Sequence, residues 1–228
     1  MKNARLILIA LLIVTLLSAC GGSAAPTAAE KPAATKPPAA SEAPATKAPA
    51  TEAPAATEAP ADAYITITDD TDAIEVTVPS AWSEIDGQVF DTGNMQFASI
   101  MASDNMENFS NTLSAPGVWV LASGQMAQLV GYVELLDLWK DQYSAKCTYS
   151  AADRTDYTDS KYEGKADFFT NCFGEQNLFI VLVVRPSANQ TDHLITVMIN
   201  ETDPNNTNFK ANLEAILLSF NVVGDLPK

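Results

Sequence analysis

Beyond residue 62 the chain runs in two hydrophobic rhythms, and each predicts its own kind of element. Residues 64–68, Tyr-Ile-Thr-Ile-Thr, set apolar and polar side chains in turn, as a half-buried strand does. Asp69, Asp70 and Asp72 crowd a turn, and residues 74–78 resume the alternation until Pro79 ends it. Residues 97–101 and 118–121 are further apolar strand segments. Over 125–143 the period changes: Met126, Leu129, Val130, Val133 and Leu136 fall at helical spacing and predict one long amphipathic helix. Residues 147–152, 165–172, 178–185 and 194–200 then read as four successive strands. The stretch 179–184 is apolar throughout, which predicts an inner strand covered on both faces. A last helix follows Asp203 and Pro204, with Asp203 expected to cap it and Pro204 to suit its first turn. Its apolar stripe is Phe209, Leu213, Ile216, Leu217 and Phe220. The sum is an α+β arrangement, an antiparallel β-sheet flanked by helices.

The rhythm is absent from residues 1–62, and composition explains why. Residues 6–20, LILIALLIVTLLSAC, follow Lys2 and Arg5 and stop on small residues. A charged start, a short apolar run and a small-residue site predict a secretory signal peptide over 1–19. The run is short for a bilayer core, which needs about 20 apolar residues. Its close on Leu-Ser-Ala-Cys resembles the lipobox of bacterial lipoproteins. That resemblance implies cleavage before Cys20, acylation of its thiol, palmitate included, and stable anchoring at the extracytoplasmic face of a bacterial cell membrane. From 21 to 62 no aromatic residue, isoleucine, leucine or valine occurs, and the stretch is almost entirely Ala, Pro, Thr, Glu, Lys and Ser. Such a stretch cannot offset its chain entropy by burial and is expected to be a disordered tether. Fully extended it reaches on the order of 120 Å, and coiled about 35 Å.

Charge and cysteines narrow the partners. Residues 63–228 hold 23 acidic and 8 basic side chains with no Lys/Arg cluster, which argues against nucleic acid as a partner. The three cysteines divide into Cys20 for the lipid and a pair, Cys147 and Cys172, in an oxidising compartment. A disulfide between them closes a loop of about 25 residues, worth roughly 3.5 kcal/mol of chain entropy. It requires Cα atoms about 4.4 to 6.8 Å apart, on neighbouring antiparallel strands joined by a loop over 153–161. The competing reading is a catalytic or metal-binding thiol, and the single histidine, His193, gives that little support.

Several stretches of the domain resemble a bacterial extracytoplasmic module also found in lipoproteins and appended to some trypsin-like serine proteases. They are residues 69–87, Pro116-Gly-Val-Trp119, Cys147-Thr-Tyr149, Tyr162-Glu-Gly164, Asn171-Cys172 and 213–220. The resemblance covers essentially all of 63–228 and implies the sandwich of PsbP, an extrinsic photosystem subunit. Phe173 departs from the pattern, which expects a glycine beside the cysteine. The resemblance carries a fold and settles no function.

No nucleophile elbow, HExxH, CxxC, P-loop or GxGxxG is present, so no cofactor is implied. Asp153, Asp156 and Asp159 recur every third residue around Tyr157, which reads as a ligand or cation edge or as a solvated hairpin loop. The Asp69–Asp72 cluster reads as calcium-type carboxylates or as turn residues. Trp82, Trp119 and Trp139 read as core, or as a binding face if exposed. His193 beside Asp192 reads as a strand-start residue. The function that fits best is a non-catalytic, lipid-anchored domain binding an envelope protein or small ligand. The alternatives are a hydrolase using Glu134, Asp137 and Asp141 along one helix, and a lipoprotein capturing a cation or solute for a transporter.

Overall fold

A computed structural model describes residues 63–203 and 205–228. The expected signal peptide, Cys20, the expected tether and Pro204 lie outside the described residues. Among the described residues twelve strands and four α-helices follow in order. The strands are β1 (Tyr64–Thr68), β2 (Ile74–Pro79), β3 (Glu84–Asp86), β4 (Phe90–Asp91), β5 (Gln96–Ser103), β6 (Gly117–Ser123), β7 (Thr148–Tyr149), β8 (Thr155–Thr158), β9 (Tyr162–Thr170), β10 (Leu178–Pro186), β11 (Leu194–Glu201) and β12 (Asn221–Val222). The helices are α1 (Met106–Thr112), α2 (Gly124–Leu129), α3 (Tyr132–Tyr143) and α4 (Phe209–Ser219).

The main sheet runs β3-β5-β6-β11-β10-β9-β7, with β4 also on β5 and β8 also on β9. A smaller sheet, β1-β2-β12, stands apart from it. Every pairing is antiparallel. This is an α+β fold, an antiparallel sheet flanked by helices.

Alternation along each strand of the main sheet divides its side chains between two cores. On one face Ala98, Ile100, Val120, Ile180, Leu182, Val197 and Ile199 meet β2 of the small sheet, Ile216 of α4 and Phe220 just beyond its end. On the other face Leu121, Phe169, Phe179, Val181, Val183 and Met198 meet Leu135 and Leu136 of α3 and Phe109 of α1. Both faces of β10 are thus buried, as its unbroken apolar run requires. The stripe of α4 packs on the first core along its whole length.

Three expectations change in the structure. The helix predicted over 125–143 is two helices, because Val130 and Gly131 are extended (φ −142° and −81°, ψ 158° and 168°). Glycine loses most by being fixed in a helix, and the break turns α3 onto β9 and β10. Leu129, expected inside, is 67% exposed at the end of α2. Asp203 does not cap α4, whose N-cap is Asn208. Its carboxylate instead accepts from Asn205 N at 3.0 Å and shapes the preceding turn. The segment 153–161 is not a simple loop, because it contains β8, paired along β9 from Thr155 opposite Ala166 to Thr158 opposite Glu163.

Cys147 and Cys172 form a disulfide, with Cα atoms 4.0 Å apart, closer than expected. Neither lies within a strand: Cys147 precedes β7 and Cys172 opens a 3-10 turn, Cys172–Gly174. They flank Thr148 and Thr170, which pair directly, and this brings them together. Asn177 and Asn200, both buried, fasten the neighbourhood. Asn200 Nδ2 donates to the Leu113 and Ala115 carbonyls at 2.8 Å each, and Asn177 Oδ1 accepts from Cys172 N at 2.8 Å.

Candidate functional site

The acidic residues singled out in the sequence do not converge. Asp69 is buried and acts as a turn acceptor: its carboxylate receives N–H bonds from Thr71 at 3.2 Å and from Ala73 and Ile74 at 2.8 Å. Asp153 ends a 3-10 turn, Ala151–Asp153. Asp156 pairs with Lys165 across β8 and β9. Asp159 caps the hairpin, accepting from Lys161 N and Tyr162 N at 2.7 Å each. The Tyr157 hydroxyl lies 2.7 Å from Asp159 Oδ2 and 3.1 Å from the Leu217 carbonyl, so it pins that hairpin to the end of α4. Burial, then the Asp159 carboxylate, pushes its pKa up. Among the described residues no group of three or more His, Cys, Asp or Glu is placed to hold a metal ion.

Two of the three carboxylates of α3, Asp137 and Asp141, are likewise committed to ion pairs. Burial alone would raise the Asp137 pKa, but hydrogen bonds from Arg154 and Lys140 outweigh it and hold the carboxyl below its ordinary range. Asp141 pairs with Lys140 at 3.4 Å, and Glu134 stays exposed. Sequence reading missed the partner that organises this cluster. Asp167, fully buried on β9, receives Arg154 Nε at 2.7 Å and Nη2 at 2.6 Å, a forked pair that holds Arg154 where it also reaches Asp137 at 3.0 Å. Tyr149 donates to the same carboxylate at 3.1 Å. The network ties α3 to the sheet edge where β7 gives way to β8. A buried aspartate in an alternating strand carries no local mark of its partner, and only the oddity of an acid at a core position hints at it.

His193 stands just ahead of β11, buried, with Nδ1 3.0 Å from Asp192 Oδ2 and no partner at Nε2. The open cleft beside it, about 390 Å³, is lined by Gly124, Gln125, Gln128 and residues 222 and 224–228. No serine, threonine or cysteine lines it, and its ionisable groups besides the imidazole are Asp192, Asp225 and Lys228.

The tryptophans divide. Trp82 is buried in the first core. Trp119 packs on the second, its indole donating to Ser99 Oγ at 3.0 Å. Trp139 on α3 lines a different feature, a cleft of about 240 Å³ over the helix-covered face of the sheet. Leu121, Leu194 and Thr196 form its floor, Met126 and Leu135 one flank, and Trp139, Leu138 and Gln142 the α3 wall. The facing wall is the β4–β5 hairpin, which contributes Phe90, Thr92 and Phe97. Asp91 fixes that hairpin by accepting from Gly93 N at 2.6 Å and Gln96 Nε2 at 3.0 Å, and Gly93 turns it at φ +81°. These bonds, that from Gln96 foremost, hold the Asp91 carboxyl below its ordinary range. Phe90 meets Trp119 edge-on at 5.3 Å and Phe97 at 5.9 Å, an arrangement that aromatic rings favour. Leu138 (57% exposed) and Phe90 (39% exposed) form the lips of the cleft. No residue lining it is charged.

No family model matches the chain, and no curated protein matches it. Among solved structures, the chain is similar to the solution structure of cyanobacterial PsbP (CyanoP) from Synechocystis sp. PCC 6803. The two are 11% identical with a TM-score of 0.41, over 74% of this chain and 98% of that one.

Proposed function

We propose that this chain is a lipid-anchored, non-catalytic binding domain on the extracytoplasmic side of a bacterial membrane, with the aromatic cleft beside α3 as its recognition site. Acylated Cys20 holds it to the bilayer and residues 21–62 space it outward. The observation that carries this reading is the contrast between two kinds of surface. Asp69, Asp159, Asp137 and Asp167, four carboxylates that might have served as acid or base, are taken up by turns and ion pairs. The cleft, by contrast, presents apolar and aromatic walls with no ionisable group, so it is built to hold something rather than to move protons.

A photo-crosslinking residue at position 138, on the lip of the cleft, tests this in the native envelope. The control is position 218, on the outer side of α4, where Leu218 is 74% exposed. The expected result is a discrete adduct from 138 and none from 218. Equal labelling from both positions, or none from 138, overturns the reading.

A further inference from the structure

On the opposite face of the main sheet from the aromatic cleft lies a groove of about 460 Å³. It opens between the outer ends of β1 and β2, the start of α4 and one end of the main sheet, where Asp104 follows β5, Pro116 precedes β6 and Glu201 closes β11. Glu201 is only 4% exposed. Alternation from Val197 and Ile199, both in the first core, puts its carboxyl on the face that meets Trp82 and α4, toward the groove. One oxygen, Oε1, accepts from Asp203 N at 3.0 Å. The other, Oε2, has no partner among the described residues. It is not sealed in either, because the side-chain N and O atoms that are both buried and unpartnered there are Trp139 Nε1 and His193 Nε2. A side chain this deeply buried keeps an open oxygen only toward the groove it lines.

A carboxylate held so deep is costly until a positive group meets it. No Lys, Arg or His lines the groove among the described residues, and Asp104 adds a second carboxylate. The N-terminus of α4 offsets only about half a charge. The groove therefore selects a cation. Its size and walls decide which kind. About 460 Å³ lies within the range of small-molecule sites and leaves a bare ion loosely held. Among the described residues no three His, Cys, Asp or Glu are placed to share a metal ion. Trp82, Pro79 and Pro116 supply an apolar wall for a carbon stem. The amide oxygens of Asn206 and Asn212, which accept from Asn208 N at 3.0 Å and the Tyr64 hydroxyl at 3.1 Å, each keep a lone pair for a further donor.

We therefore propose that this groove binds a small organic molecule through a primary ammonium group, with Glu201 Oε2 as its principal acceptor. The carbon stem lies along Trp82, Pro79 and Pro116. The site is separate from the aromatic cleft, and neither depends on the other.

The test uses the full-length protein in uncharged detergent micelles with its indole nitrogens labelled, so that three indole resonances report on three tryptophans. The probes are butylammonium, 1-butanol as its neutral counterpart, butanoate as its anionic one, and calcium. Butylammonium is expected to move the Trp82 indole resonance and leave that of Trp119, which packs on the other core. It should bind about tenfold more tightly than 1-butanol, the ratio that separates a charged from a neutral hydrogen bond, and more weakly as salt is added. Butanoate should not bind. Glu201→Gln keeps an acceptor for Asp203 N and removes the charge, so it should weaken butylammonium about tenfold. Glu214→Gln, exposed on α4 and outside the groove, changes the net charge equally and should leave the affinity unchanged. Should Glu201→Gln fail to fold, Asp104→Asn at an exposed position decides, with a loss of about twofold expected. An unmoved Trp82 resonance, equal binding of 1-butanol, or an affinity untouched by these groove substitutions overturns the proposal. So does an equal loss in Glu214→Gln, which would make the attraction one of net charge. A response to calcium without one to butylammonium overturns it too, in favour of a metal ion.

Discussion

At the scale of single residues, Phe173 carries the sharpest conflict between backbone and side chain. The turn after the disulfide places it at φ +55°, ψ 18°, a left-handed conformation that costs a residue with a Cβ roughly 1–2 kcal/mol and costs glycine nothing. This is the position where the resembled module expects glycine. Phe173 holds it because its ring packs on the second core and lies 4.8 Å from the Lys146 ammonium. Two truncations separate the effects. Phe173→Ala loses the ring and keeps the strained backbone, whereas Phe173→Gly loses the ring and relieves it. The glycine variant should therefore be more stable than the alanine variant by about 1 kcal/mol in urea unfolding, the reverse of the ordinary order. An alanine variant equal to or more stable than the glycine one would show that the left-handed turn is misassigned.

At the scale of elements, two glycines that look alike in the sequence behave differently. A Cβ added at Gly164 would stand 2.8 Å from Val184 Cα and 2.9 Å from the Val183 carbonyl carbon, and closer still to that carbonyl oxygen. These are backbone atoms of β10, locked between β9 and β11, and they cannot move aside. A Cβ at Gly131 meets only the tip of the Glu134 side chain, which can swing into solvent. Gly164→Ala should cost about 3 kcal/mol, the upper end for overpacking, and Gly131→Ala under about 1 kcal/mol. Thermal unfolding of both variants checks this, and comparable losses would contradict the close approach of β9 to β10. The contrast also marks how far a sequence reaches. The apolar run of β10 and the stripe of α4 were legible because each is written in the periodicity of adjacent residues, and the Cys147–Cys172 pair was legible in the cysteine count. The break at Val130 and Gly131 and the strand inside the acidic stretch were not, since both depend on what the sheet offers as a partner. The cleft is the extreme case. Trp139 could be singled out, but Phe90, Leu138 and Thr196 come from three distant segments, and only the fold makes them neighbours.

At the scale of the whole molecule, the cores leave a signature in the phenols. Four of the six tyrosines titrate above their ordinary value of about 10. Burial is the leading cause in each, and for Tyr143, which lies between α3 and the sheet with its hydroxyl 3.7 Å from Met198 Sδ, it pushes the pKa up to about 12. Tyr149, Tyr157 and Tyr162 are distributed over both faces of the sheet, so the effect reports on both cores at once. The folded chain keeps these protons to higher pH than the unfolded chain does. Their contribution to stability is therefore complete below about pH 10 and is lost as pH climbs through the raised values, for Tyr143 between about 10 and 12. Lysines lose their charge over the same range, which removes the Lys140 and Lys165 pairs from an already acidic domain. The expected outcome is a melting temperature that falls steeply above pH 10. Absorbance of tyrosinate at pH 11 should be well below that of the same protein in denaturant. Tyr143→Phe should flatten part of the alkaline slope, because phenylalanine keeps the ring packed against Phe179 and has no proton to lose. Six phenols ionising together near pH 10 in the native state would mean that the two cores are open to water.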